Sequence, residues 1–164
     1  MVNRVTHEFG PFYQKDSKIL ILGSFPSIKS RESGFYYMHP QNRFWIILSR
    51  VFNVPFPKSL QEKKQLLKDH QIALWDVIES CTIENSNDAS IQNVIATDLK
   101  GLFQKTNIET VITTGKKAHQ LYQKYSKPMT GMEDINLPST SSANIANYNL
   151  DQLVELYQII KEKL

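Results

Sequence analysis

Three short apolar runs limit what this chain can fold into: "KILILG" (18–23), "IALWDVI" (72–78) and "TVITTG" (110–115). None alternates apolar with polar, so each reads as a strand covered on both faces. "DINLP" (134–138) is a shorter fourth candidate. Between the runs the apolar period becomes helical. Phe44, Leu48, Val51 and Phe52 make one stripe, and Ala118, Leu121, Tyr122 and Tyr125 a second. Leu153, Leu156, Tyr157, Ile160 and Leu164 make a third. Helices are also expected over 60–69 and 97–104, the latter starting at Thr97 and Asp98. Asn149 and Gln152 form a capping box for the last helix. Fully covered strands alternating with helices predict an α/β fold, a short, mainly parallel four-stranded sheet sandwiched by helices. A chain of 164 residues is expected to form a single domain, 1–164.

Composition narrows the setting. The lone cysteine, Cys81, excludes an internal disulfide and fits a reducing, cytoplasmic location. The four histidines and this cysteine nowhere fall at ligand spacing, so no metal is expected. No run is apolar for long enough to cross a bilayer, and "MVNRVTHEFGPFYQKDSK" has no apolar signal region. A net charge of +3 permits an anionic partner without demanding one.

In parallel sheets ligands sit beyond the carboxyl ends of the strands. "GSFPS" (23–27) follows the first run; its glycine turns the chain, its proline stiffens it, and Phe25 becomes either one wall of a slot or a core side chain. The long connection that follows contains "SGFYYMHPQNRFWIIL" (33–48), where a helix is expected to begin near Gln41. Asn42 there either caps that helix or joins its free N–H groups in holding a reacting water. A carboxamide is a poor base. It suits a leaving group that departs largely unaided, as in N-glycosidic cleavage through an oxocarbenium-like transition state. "LPSTSSAN" (137–144) is either an ordinary turn or a hydroxyl-rich grip on phosphate oxygens. Lys58, Lys63, Lys64 and Lys68 make a solvated helix face or a phosphate contact. "TTGKK" (113–117) lacks the P-loop pattern, and Ser24 is not in a nucleophile elbow.

Together, "ILILGSFPS", "GFYYMHPQNRFW", "ALWDVIESC", "VITTGKKA" and "LPSTSSAN" resemble the uracil-DNA glycosylase superfamily in order and approximate spacing. The resemblance runs from about residue 18 to 144 and is nearest the hypoxanthine (deoxyinosine) branch. It implies a three-layer α/β/α sandwich and a monofunctional DNA glycosylase needing no metal or cofactor, with damaged DNA as partner, no membrane, and a monomeric chain. Where the mismatch-specific branch reads Gly-Ile-Asn-Pro-Gly, this chain has Phe25 in place of the water-holding Asn. The resemblance passes that catalytic role to Asn42, delivered by a His39-Pro40 turn. It implies a base pocket of Gly23, Ser24, Phe25, Pro26, Tyr37, His39 and Asp76, in which Phe25 and Tyr36 or Tyr37 stack on the flipped ring and Asp76 reads its edge. Ser139, Thr140, Ser141, Ser142 and Asn144 are implied to contact DNA. Ser27 and Ser142 depart from the glycine and proline usual at their positions.

Hypoxanthine is the expected base, released to leave an abasic site without strand cutting. Uracil or mismatched thymine is the alternative substrate. A catalytically silent DNA-binding module and a small-molecule-binding α/β domain are the rivals.

Overall fold

The covered apolar runs become neighbouring parallel strands in the computed structural model, which describes residues 3–7, 9–25, 28–83 and 91–164. Pro26 and Ser27 lie outside the described residues. The chain order is β1 (Asn3–Thr6), β2 (Ile19–Gly23), α1 (Ile28–Ser33), α2 (Phe44–Val51), α3 (Leu60–Asp69), β3 (Ile72–Asp76), β4 (Ile78–Ile83) and β5 (Gln92–Ala96). It continues with α4 (Leu99–Gln104), β6 (Thr110–Thr114), α5 (Lys116–Leu121), α6 (Lys127–Thr130), β7 (Asp134–Leu137), α7 (Leu150–Tyr157) and α8 (Ile159–Glu162). Strands β3-β2-β6-β7 form the sheet in that order, every pair parallel. Ile19, Leu20, Ile21 and Leu22 of the inner strand β2 are fully buried, as a strand with both faces covered must be. Helices flank this sheet in the expected α/β/α arrangement.

The single strand expected over 72–78 is two. The run leaves the parallel sheet at Val77, whose N–H still donates to Gly23 O (2.9 Å) while Thr97 N donates to Val77 O (2.9 Å). Beyond it, β4 joins an antiparallel sheet of order β1-β4-β5 that the sequence reading did not foresee. An unbroken apolar run has no period that could mark such a change of partner.

Helix starts follow their local chemistry. Asn149 and Gln152 exchange both capping-box bonds, each 2.9 Å, and Asp98 Oδ1 accepts from Gly101 N at 2.9 Å. The C-terminal stripe is only partly used: Leu153, Tyr157 and Ile160 are buried, whereas Leu156 and Leu164 are exposed. Two lysines of α3 lie over aromatic rings, Lys63 above Trp45 (5.7 Å) and Lys64 above Phe35 (5.5 Å). Helix α2 begins at Phe44 rather than near Gln41, because a four-residue turn over 39–42 closes first, with Asn42 N donating to His39 O (2.9 Å).

Candidate active site

The carboxyl edge of the parallel sheet carries Gly23 at the end of β2, Asp76 at the end of β3, and the 138–144 loop after β7. Strand order puts Asp76 and that loop on the two outer strands. Three inter-strand gaps separate them, about 14 Å between strand ends.

At the β3 end, Asp76 is 4 % exposed. Its Oδ2 is 2.8 Å from His7 Nε2, a bond buried on both sides. Its Oδ1 makes no hydrogen bond among the described residues and lies over Gly23, where an added Cβ would come within 2.6 Å of it. Glycine is required there because the carboxylate fills the space a side chain would take. Tyr37 closes the same corner: its hydroxyl would be 3.7 Å from that Cβ and has no hydrogen-bond partner among the described residues. Burial, and then the Asp76 charge, push the Tyr37 hydroxyl well above the ordinary tyrosine value. Its ring stacks on Phe44 (centroids 3.9 Å, 14° between planes), and its backbone is left-handed at φ 55°. Phe25 is half-buried and packs edge-on to His7 at 5.9 Å, with the Arg31 guanidinium 5.6 Å from its ring centre. Ser24 contributes its carbonyl to Ile78 N (3.1 Å). Tyr36 is not a wall: it is 2 % exposed and its hydroxyl donates to Gly10 O at 2.9 Å.

At the β7 end, Asn42 Oδ1 accepts from Phe44 N (2.9 Å) and from Thr140 Oγ1 (2.7 Å). One oxygen satisfies the first N–H of α2 and ties the loop, and the amide nitrogen is left with no partner among the described residues. Asn42 thus presents donors, not an acceptor, to whatever lies beside it. Thr140 differs from the expectation of a phosphate contact. It is 1 % exposed and its hydroxyl is engaged with Asn42, so it positions the amide. His39 is exposed, and its Nδ1 accepts from Gln41 N (3.2 Å), which braces the turn that carries Asn42.

The loop is bonded to itself. Ser139 Oγ accepts from Ser141 N (3.1 Å), Ser141 Oγ from Ala143 N (3.2 Å), and Asn144 Nδ2 donates to Ser139 O (3.2 Å). Ser142 opens a short 3-10 turn, Ser142–Asn144. The backbone N–H groups of Ser139 and Ser142 donate to nothing among the described residues. Ile145, just beyond, is 63 % exposed. A cleft of about 900 Å³ lies against the loop, lined by Lys116, Asn136, Ser139, Asn144 and Tyr148 among others. Gly115 lets the loop approach: its φ is +89°, and a Cβ would stand 3.3 Å from Ser139 Cβ.

Sequence reasoning missed two residues here. Arg43 donates through Nη1 to Tyr148 O (2.7 Å) and through Nη2 to Ser141 O (3.0 Å), and so clamps the loop beside Asn42. His7 directly follows β1, a strand the sequence reading did not recognise. For Arg43 the one signal was its place beside Asn42, and for His7 there was none. Among the described residues, no cluster of three His, Cys, Asp or Glu could hold a metal ion, and no helix is long and apolar enough to cross a membrane.

Comparison with known proteins places these residues in context. The profile of the uracil DNA glycosylase superfamily matches residues 11–161. A hypoxanthine DNA glycosylase of Methanosarcina acetivorans is 33 % identical over 138 residues, 83 % of this chain and 86 % of its own. One from Methanosarcina barkeri is 32 % identical with the same coverage. The solution NMR structure of a candidate uracil DNA glycosylase from Methanosarcina acetivorans superposes with a TM-score of 0.79 at 27 % identity, covering 98 % of this chain and 99 % of that one.

Proposed function

Since the chain belongs to the uracil DNA glycosylase superfamily and is a DNA glycosylase, an enzyme that hydrolyses N-glycosyl bonds, we propose that the base it releases is hypoxanthine. The observation that carries this reading is the Asp76 carboxylate, whose Oδ1 lies over Gly23 at the strand edge and makes no hydrogen bond among the described residues. A fixed acceptor there takes the N1–H of hypoxanthine. Adenine offers a lone pair at the same position and is repelled, so the undamaged parent base is refused by polarity and not by size. The two relatives named for hypoxanthine support the same choice.

Extrusion of the nucleotide costs a few kcal/mol. Stacking on Phe25 returns roughly 1–3 kcal/mol of this, with Tyr37 closing the far side of the slot. Ser139, Ser141, Ser142 and Asn144 hold the flanking phosphates, with the open N–H groups of Ser139 and Ser142 pointing the donors required. Ile145 presses into the space the base vacates.

The C–N bond then breaks with little help from a general base, and its electron pair leaves with the nucleobase. Asn42 holds the water through its amide N–H groups while the sugar cation forms; the water then adds to that carbon, and its proton passes to the departed nucleobase. An amide whose oxygen is doubly engaged cannot draw that proton away earlier. Cleavage assays on duplex and single-stranded oligonucleotides carrying hypoxanthine, uracil, xanthine or mismatched thymine, with and without alkali, test the assignment. Hypoxanthine release is expected to be fastest, with strand breaks only after alkali. Asn42→Ala is expected to lower it roughly 10²–10³-fold. Faster release of uracil or thymine than of hypoxanthine sinks the substrate choice, and an undiminished Asn42→Ala variant sinks the role of the amide.

A further inference from the structure

We propose that His7 is a positioning residue that sets the hydrogen-bonding polarity of Asp76, and with it which bases the slot admits. This rests on the reading of Asp76 as the group that meets the base edge.

The His7 ring is sealed. Its side chain is 1 % exposed, with Phe9 (4.8 Å), Phe25 (5.9 Å) and Tyr36 (5.9 Å) around it. Nε2 meets Asp76 Oδ2 at 2.8 Å, and Nδ1 is buried with no partner among the described residues. A hydrogen bond at Nε2 needs one proton, on the ring or on the carboxyl group. If the carboxyl group held it, the neutral ring would carry its own proton on Nδ1, as a buried N–H with nothing to accept it. Orphaned buried N–H groups are rarer in proteins than under-used acceptors. The proton therefore sits on Nε2, Nδ1 stays a bare lone pair, and His7 donates to Asp76.

This direction has a consequence at the slot. With Oδ2 occupied by the His7 donor, Oδ1 is held as an acceptor over Gly23, the polarity that a base with an N–H edge requires. An amide placed at residue 76 would not be free to choose. His7 would draw its oxygen and turn its NH2 toward the base, where two donors would face each other.

Two experiments on the full chain read this. In a 1H–15N correlation spectrum of the histidine rings, His7 is expected to carry its proton on Nε2 alone. An Nδ1-protonated or doubly protonated ring overturns the proposal, and this needs no variant to fold. In hypoxanthine cleavage, Asp76→Asn is expected to lose roughly 100-fold in kcat/KM. Adding His7→Leu should recover tenfold or more of that loss, because the amide can then turn its oxygen to the base. Asp76→Asn at wild-type rate, or a double variant no better than the single one, overturns the proposal. His7→Leu alone is expected to lower hypoxanthine cleavage by leaving Oδ2 without its donor, and His7→Gln, which keeps an N–H donor at similar reach, to retain it; a Gln variant as slow as the Leu variant overturns the proposal. Wild-type protein inactive on every base removes the functional reading and this role with it. Active wild type with the proton on Nδ1 removes only the role of His7.

Discussion

Two aspartates of the parallel sheet are each paired with a histidine, and the difference between the pairs separates a carboxylate with several donors inside the fold from one with a single donor, among the described residues, at the sheet edge. Asp134 begins β7, away from the carboxyl edge. Its side chain is fully buried, and its oxygens accept from Thr113 Oγ1 (2.5 Å), His119 Nδ1 (2.7 Å) and Gln123 Nε2 (2.7 Å). Desolvation, the largest single influence, pushes this carboxyl up. The three hydrogen bonds together outweigh it and hold the group below the ordinary aspartate value. Its histidine is 40 % exposed on the side chain. Asp76 is buried as well but differs in the rest. It ends its strand and, among the described residues, accepts from one donor and leaves an oxygen over a glycine, while its histidine is sealed with a nitrogen that has no partner there. A buried carboxylate with its acceptor capacity filled pins elements together. One left with capacity, at the edge where ligands bind, is available to a substrate.

The sharpest way to break this contrast is to truncate both. Asp76→Ala should lower kcat/KM for hypoxanthine release roughly 100-fold, read in single turnover. If cleavage holds while the melting temperature falls, Asp76 is a structural pin like Asp134. Asp134→Ala should cost about 2–3 kcal/mol in urea denaturation by stranding its donors, with cleavage per folded molecule unchanged. A loss of cleavage without loss of stability would put Asp134 in the site.

Gly23→Ala sharpens the comparison from the other side of the pair. Its Cβ would stand 2.6 Å from Asp76 Oδ1, so the carboxylate must shift, and about a tenfold fall in cleavage is expected. An alanine variant with full activity would show that Oδ1 does not need its present place. The smallest effect is in the pH response. A depressed folded-state value means that Asp134 supplies stability above its unfolded value, near pH 4, and loses it as pH falls through the lower folded value. The stability gap between wild type and Asp134→Asn should therefore narrow as pH falls below about 4. A gap that widens there would contradict the hydrogen-bond account.

Much of this molecule is legible in its residue order because local physics decides it. Covered strands need unbroken apolar runs, so β2, β3 and β6 could be read directly. Helix caps need a side chain two or three residues from a free N–H, so Asn149 and Asp98 could be read as well. The ends of the strands then fixed which segments could share an edge, and Gly23, Asp76 and the 138–144 loop do share it. Asn42 could be placed near that edge, but not the direction of its hydrogen bonds.

What only the tertiary structure decided are relations between side chains far apart in the chain. The separations are 69 residues between His7 and Asp76, 98 between Asn42 and Thr140, and 105 between Arg43 and Tyr148. Such pairs leave no period and no spacing in a single sequence, since the partners meet only when separate elements pack. Which oxygen of a carboxylate stays open, and which face of an amide is presented, is settled by the last neighbour to arrive.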